Sequence, residues 1–144
     1  MKPPVTTGRL DRIDLETAAV GDTYQLLLVE NLLRTQIVQY AGASGDFHPY
    51  HHDEPHSIAD GFDGIFAHGM LTMGISGRIV SDLVGDDTIR NYRAELRKQV
   101  WPGDTLTGHA SISSIEGAIV SLDIETRNQD GVVVLRGTAR ADLS

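Results

Sequence analysis

The chain has 144 residues, with 12 basic against 20 acidic side chains and a net charge of −8. That length fits one domain without a separate cofactor-binding domain, and the acidic balance disfavours a nucleic-acid partner. Cysteine is absent, which excludes disulfides, thiolate nucleophiles and Cys-ligated zinc. Residues 1–9 carry no apolar core of the signal-peptide kind, and no apolar run reaches membrane-spanning length. The expectation is a soluble, cytoplasmic protein with no membrane partner.

In chain order, residues 1–19 mix Pro, Gly and charge without periodicity and read as an extended arm on a single domain spanning 1–144. After the turn Val20-Gly21-Asp22, the run Leu26 to Val29 within residues 23–30 predicts a buried strand. Leu33, Ile37, Tyr40 and Ala41 recur at helical spacing over residues 32–43, before Gly42 and Gly45 break the pattern. Residues 44–64 then read as a loop holding five acidic residues and four of the six histidines. A polar excursion of that length inside a small domain is more often functional than accidental.

Residues 65–84 are apolar on nearly every helical face, which predicts a central helix wrapped by protein, with Thr72, Ser76, Arg78, Ser81 and Asp82 left for water. Gly69, Gly74 and Gly77 weaken such a helix, so close approach of a sheet or ligand is their expected use. The period then changes to two. Tyr92, Ala94 and Leu96 predict a strand before Pro102-Gly103-Asp104; Leu106 to Ile112, Val120 to Thr126 and Leu135 to Ala141 predict three more. Short turns make consecutive strands antiparallel neighbours. The sum is an α+β hot-dog arrangement, an antiparallel sheet curled around one helix. Its open edges predict a dimer, homodimeric or heterodimeric.

Asp46 and His51 are separated by a Pro-containing turn that can aim both at one water molecule. A carboxylate and an imidazole suffice to take a proton from water attacking C3 of an enoyl thioester and to supply one to C2. The enolate-like oxygen of that reaction needs hydrogen-bond donors, and the backbone at Gly69, where Ala67-His68-Gly69-Met70 opens the central helix, can provide them.

Tyr40-Ala41-Gly42-Ala43-Ser44-Gly45-Asp46 with Pro49 and His51, followed by Ala67-His68-Gly69-Met70-Leu71-Thr72-Met73-Gly74, resembles the MaoC-like family of (R)-specific enoyl-CoA hydratases and (R)-3-hydroxyacyl dehydratases. The resemblance is strongest to the catalytic subunits of mycobacterial fatty-acid dehydratases and extends more faintly over the rest of the chain. It implies Asp46 and His51 as catalytic residues, Gly69 as the oxyanion-hole backbone, an acyl thioester on CoA or acyl carrier protein as substrate, and no cofactor. The chain departs from the family at His48, where Asn is usual and positions the water, and at Tyr50, where an aliphatic residue is usual. His48 is therefore the candidate for water positioning.

Other readings compete at several positions. Asp46 after Gly45 could cap a turn. His48, His51, His52 and His56 with Asp53 and Glu54 invite a metal reading, but their spacing fits no standard ligand motif, and no metal is expected. His68 reads as a hydrogen-bonded structural residue. Arg90, Arg93 and Arg97, with Lys98, are either a solvated strand face or a dock for CoA phosphates or an acidic carrier protein. Met70 and Met73 read as core packing or as the wall of an acyl tunnel. Two alternative functions keep the fold: an acyl-CoA thioesterase, whose carboxylate would have to be Asp82 on the central helix, and a non-catalytic subunit of a heteromeric dehydratase.

Overall fold

Five strands form one antiparallel sheet in the order β1-β3-β4-β5-β2: β1 is Thr23–Val29, β2 Ile89–Leu96, β3 Leu106–Glu116, β4 Ile119–Arg127 and β5 Val133–Asp142. They belong to a computed structural model that describes residues 3–144; Met1 and Lys2, the tip of the expected arm, lie outside the described residues. Leu106, Ala110, Ile112, Leu122, Ile124, Leu135 and Ala139 are buried on the inner face, where each large aliphatic contributes about 1.5–3 kcal/mol. The alternate positions form polar rows across the outer face, one of them Gln25, His109, Glu125, Arg136 and Glu95 in direct register.

Among the described residues three α-helices accompany the sheet, α1 (Arg34–Ser44), the short α2 (Glu54–Ala59) and α3 (Gly69–Val84), with 3₁₀ turns at Pro49–His51 and Asp86–Thr88. The inner face of the sheet packs on α3, the hot-dog arrangement expected. The segment read as loop thus holds two short helical pieces, because Pro49 and Pro55 each sit in a first turn where their missing N–H costs nothing.

The central helix begins four residues later than its apolar pattern suggests. Phe66 N–H donates to Tyr50 O at 3.1 Å and Ala67 N–H to Val100 O at 2.8 Å, so this stretch is extended and bonded sideways. β2 and β3 are consecutive but do not pair. The connection between them lets β2 lie at the far edge beside β5, and its turn is tied instead to the approach to α1, Gly103 N–H donating to Leu32 O at 2.7 Å and Leu32 N–H to Asp104 O at 2.8 Å.

Of the polar stripe of α3, Thr72, Ser76 and Asp82 are buried rather than left for water, whereas Arg78 is exposed. Ser76 and Thr126 hydroxyls meet at 2.6 Å, and the buried Asp82 accepts Leu10 N–H at 3.0 Å and lies 3.6 Å from Arg9 Nε. Met70, Gly74 and Arg78 are the exposed positions, and Arg78 donates to Gly8 O at 2.7 Å and Leu28 O at 3.0 Å. Gly77 lets the Tyr92 ring approach, since a Cβ there would lie 3.2 Å from Tyr92 Cε1, whereas nothing approaches Gly74. The Tyr92 hydroxyl donates to Met73 O at 2.6 Å.

The arm is thus held along α3 by Arg78 and Asp82 and by the carbonyls of Leu83 and Val84, which accept from Ile13 N–H at 2.8 Å and from Arg12 at 3.2 Å, with Thr6 extending the sheet beyond β1 through a parallel bridge to Leu26. Replacing Asp82 by Ala removes the acceptor of Leu10 and the partner of Arg9. Urea denaturation is expected to show a loss of about 1–3 kcal/mol, and unchanged stability would contradict this anchoring.

Candidate active site

Gly45 ends α1 in the left-handed region at φ 75°, its N–H donating to Ala41 O at 2.9 Å. The chain then reverses through Asp46, whose Oδ1 accepts His48 N–H at 3.2 Å. His48 Nδ1 in turn accepts Tyr50 N–H at 3.2 Å and so caps the 3₁₀ turn that carries His51 inward. Any contact of His48 with a water must therefore use its other nitrogen; its ring centre lies 6.3 Å from that of His51.

The His51 side chain is 10% exposed, against 52% for Asp46. His51 Nδ1 lies 2.7 Å from Phe66 O. A carbonyl only accepts, so Nδ1 carries the hydrogen and Nε2 keeps its lone pair. That Nε2 is 3.9 Å from Asp46 Oδ2, too far for a direct hydrogen bond and suited to a shared water. Burial holds the His51 imidazole below its ordinary pKa of 6.5; the nearby His68 and His48 act in the same sense, and together they outweigh the Phe66 carbonyl and Asp46. His51 is accordingly neutral and basic at pH 7.

The structure adds a residue that sequence reasoning had set aside as structural. His68, 2% exposed, stacks on His51 with ring centres 3.8 Å apart and an interplanar angle of 23°, and its Nε2–H donates to Asp46 O at 3.0 Å. Tyr40 closes the far side edge-on at 4.8 Å. His68 is also the residue before α3, so Gly69 and its backbone N–H adjoin the imidazole pair. The first N–H groups of a helix lack intrahelical acceptors, and those of a 16-residue helix carry its positive dipole end. A side chain at Gly69 would strike Leu96, which rests on this backbone at the end of β2.

Asp46, His51 and His68 offer donor atoms within 4.8 Å of one another, the set with metal-ligand composition among the described residues. A cation held there would take up His51 Nε2, the nitrogen that faces Asp46. The remaining loop histidines are not gathered with them: His52 Nε2–H donates to Phe47 O at 2.9 Å, and His56 pairs with Asp60 at 3.5 Å. Tyr50 turns outward, its hydroxyl donating to Asp60 at 2.9 Å while its ring packs against Phe62 and Phe66.

The three arginines do not converge on this site. Arg93 lines a groove on the outer sheet face, Arg97 pairs with Glu95 at 2.6 Å, and Arg90 donates to Asp87 O at 2.9 Å. That outer groove, about 1120 Å³, holds none of Asp46, His51 and His68, and its Glu125 is bound by Arg127 and Arg136. A second cleft of about 760 Å³ follows α3 past Tyr40, Leu71, Gly74, Gly77 and Tyr92. It adjoins the site through Tyr40. Met70 is exposed rather than core, and Met73 is partly buried against the core.

The pattern of the MaoC like domain matches residues 14–130. The chain belongs to this family. It is 29% identical over 111 residues, 76% of this chain and 84% of the relative, to the 3-oxo-4,17-pregnadiene-20-carboxyl-CoA hydratase beta subunit of Mycobacterium tuberculosis. Among solved structures it resembles the R-hydratase PhaJ1 of Pseudomonas aeruginosa, with a TM-score of 0.82 and 22% identity over 95% of this chain and 90% of that one. It also resembles a MaoC-like dehydratase from Rhodospirillum rubrum, with a TM-score of 0.75 and 28% identity over 90% of this chain and 94% of that one. This is the MaoC-like hydratase and dehydratase family, on the hot-dog fold.

The MaoC-like chain should show its His51 state directly in ¹⁵N-resolved NMR titration. His51 is expected to be protonated at Nδ1 when neutral and to titrate below 6.5. Because the unfolded chain then binds more protons than the folded one, stability contributed by this group is present above pH 6.5 and declines as the pH falls toward the folded value. Titration at or above 6.5 would contradict this environment.

Proposed function

We propose that this chain reversibly hydrates trans-2-enoyl thioesters to (R)-3-hydroxyacyl thioesters, with CoA or acyl carrier protein carrying the acyl group and no cofactor taking part. The observation that carries the reading is the open Nε2 of neutral His51 facing Asp46 Oδ2 across 3.9 Å, beside the N-terminus of α3. In this scheme a water sits between the two. Asp46 accepts one of its hydrogens and orients it; His51 Nε2 takes the other proton as the water oxygen bonds to C3. The C2–C3 π electrons move onto the thioester oxygen, which the N–H of Gly69 receives. The His51 imidazolium then returns the proton to C2, and the enolate collapses to the saturated thioester.

The (R) product rests on the family resemblance. The acyl group would follow the cleft along α3, and the carrier would leave past Leu96, with Arg97 next in sequence as the nearest of the three arginines in the chain. Thioester hydrolysis is less well supported, because the one carboxylate of α3, Asp82, holds Leu10 and Arg9 instead. The intact Asp46 and His51 pair speaks against a purely non-catalytic subunit. A reducing, cytoplasmic setting fits a chain without cysteine.

Hydration is read as loss of conjugated-thioester absorbance with a panel of enoyl-CoAs from short to bulky. Asp46→Asn and His51→Ala are expected to keep the fold and lower kcat on the order of 10²- to 10⁴-fold. Near-normal turnover in either variant would overturn the assignment. The wild-type rate should fall as pH drops below 6.5, where His51 gains the proton it must be free to accept.

We also propose that the chain works as a dimer, with a second copy or a related chain. β2 is the edge of the sheet, and Met70 and Gly74 leave part of α3 uncovered; the mycobacterial relative is itself described as a beta subunit. Analytical ultracentrifugation of the purified chain should give a two-chain particle if it pairs with itself. A monomer that hydrates enoyl-CoA at full rate would refute the need for a partner.

A further inference from the structure

We propose that His68 is a positioning residue for the acid–base pair, holding Asp46 by its backbone and covering one ring face of His51. This rests on the hydratase reading for its effect on turnover, but not for its effect on His51.

His68 Nε2–H donates to Asp46 O at 3.0 Å, which fixes the hydrogen on Nε2 and leaves the lone pair on Nδ1. That Nδ1 is fully buried and has no hydrogen-bond partner. The rings are stacked 3.8 Å apart, and from there His68 disfavours a positive charge on His51. The titratable groups facing the pair are Asp46 and His48 from the loop and Tyr40 from α1; the Phe66 carbonyl faces His51 on its remaining polar edge.

The hydrogen bond to Asp46 reaches its main chain rather than its carboxylate. It therefore sets where the carboxylate stands without competing for the oxygen that holds water. The stacked ring covers one face of His51 and keeps solvent from it, the burial that holds His51 in its basic form. An unpartnered buried nitrogen is costly for a residue that only fills space.

Two amide variants separate these roles. His68→Gln carries an N–H out to the reach of Nε2, while His68→Asn stops near the position of Nδ1. Circular dichroism checks the fold, NMR titration reads His51, and hydration of the best enoyl-CoA of the panel reads turnover. His68→Gln should retain kcat within a few-fold, and His68→Asn should lose on the order of 10- to 100-fold, the scale of a misplaced reacting group. In both, His51 should titrate at higher pH than in the wild type and carry the acidic limb of the rate upward with it. Equal turnover in the two folded variants, or an unmoved His51 titration in both, would overturn the proposal. If the wild type hydrates no enoyl-CoA, the functional reading fails, whereas the His51 titration still decides the role of His68.

Discussion

The hydrogen bond from His51 Nδ1 to the Phe66 carbonyl, at 2.7 Å, is the contact on which the site depends. A partly buried bond of this kind adds only about 0.5–1.5 kcal/mol to stability. Its weight lies in direction: it selects the tautomer, aims Nε2 at Asp46 and sets the plane on which His68 stacks. Phe66 is fixed from both sides, its own N–H donating to Tyr50 O and the next N–H, from Ala67, to Val100 O. The loop and the approach to α3 are therefore bonded in both directions. The price is a helix that cannot start until Gly69.

That late start is what makes the helix end useful. Had residues 65–68 joined α3, its unpaired N–H groups would lie a turn away from the imidazoles. The sheet supplies the remaining constraint. Ser76 is bound to Thr126 of β4, and Tyr92 of β2 reaches Met73 O across Gly77, so α3 is held by polar contacts at points where a purely apolar interface would allow sliding. Leu96, at the end of β2, meets Gly69 directly. The first turn of α3 is thus positioned by the loop on one side and by the sheet on the other.

Much of this was legible in the residues, and the exceptions have physical causes. Strands β3, β4 and β5 follow from period-two alternation because each has one buried and one solvated face. Their pairing with one another follows from short turns, but β2 leaves for the far edge through a connection long enough to allow it, and alternation says nothing about edges. Ile65, Phe66 and Ala67 continue the apolar pattern of α3 although their backbone is bonded elsewhere, so periodicity overran the helix start. Thr72, Ser76 and Asp82 look like a solvated stripe because a residue name does not reveal a buried partner. Asp46, His51 and Gly69 were singled out by their chemistry and by the family motifs, and the structure brings them together. The Phe66 carbonyl carries no side-chain signature, and the use of His68 depends on a stack between residues from different segments. Its position immediately before a glycine at a helix start was the available hint.

In the proposed hydration, the arrangement of hydrogens lets the site favour a charged transition state. One ring nitrogen of each imidazole donates to a carbonyl, His51 to Phe66 and His68 to Asp46, which leaves His51 Nε2 as the nitrogen free to exchange a proton with a bound molecule. An enoyl thioester is neutral and conjugated, so the helix end has little to bind in it before reaction. As water adds in that proposed reaction, charge would grow on the thioester oxygen and on His51 together, the first beside a helix N-terminus worth roughly half a positive charge and the second beside Asp46. Both interactions strengthen only as the reaction proceeds, which is the condition for raising kcat rather than merely tightening substrate binding. A lysine or arginine in place of the Gly69 backbone would offer more charge, but it would also bind anions in the ground state and push His51 still further from protonation. A backbone dipole avoids both effects, and it demands a residue without a side chain at the position where Leu96 already rests.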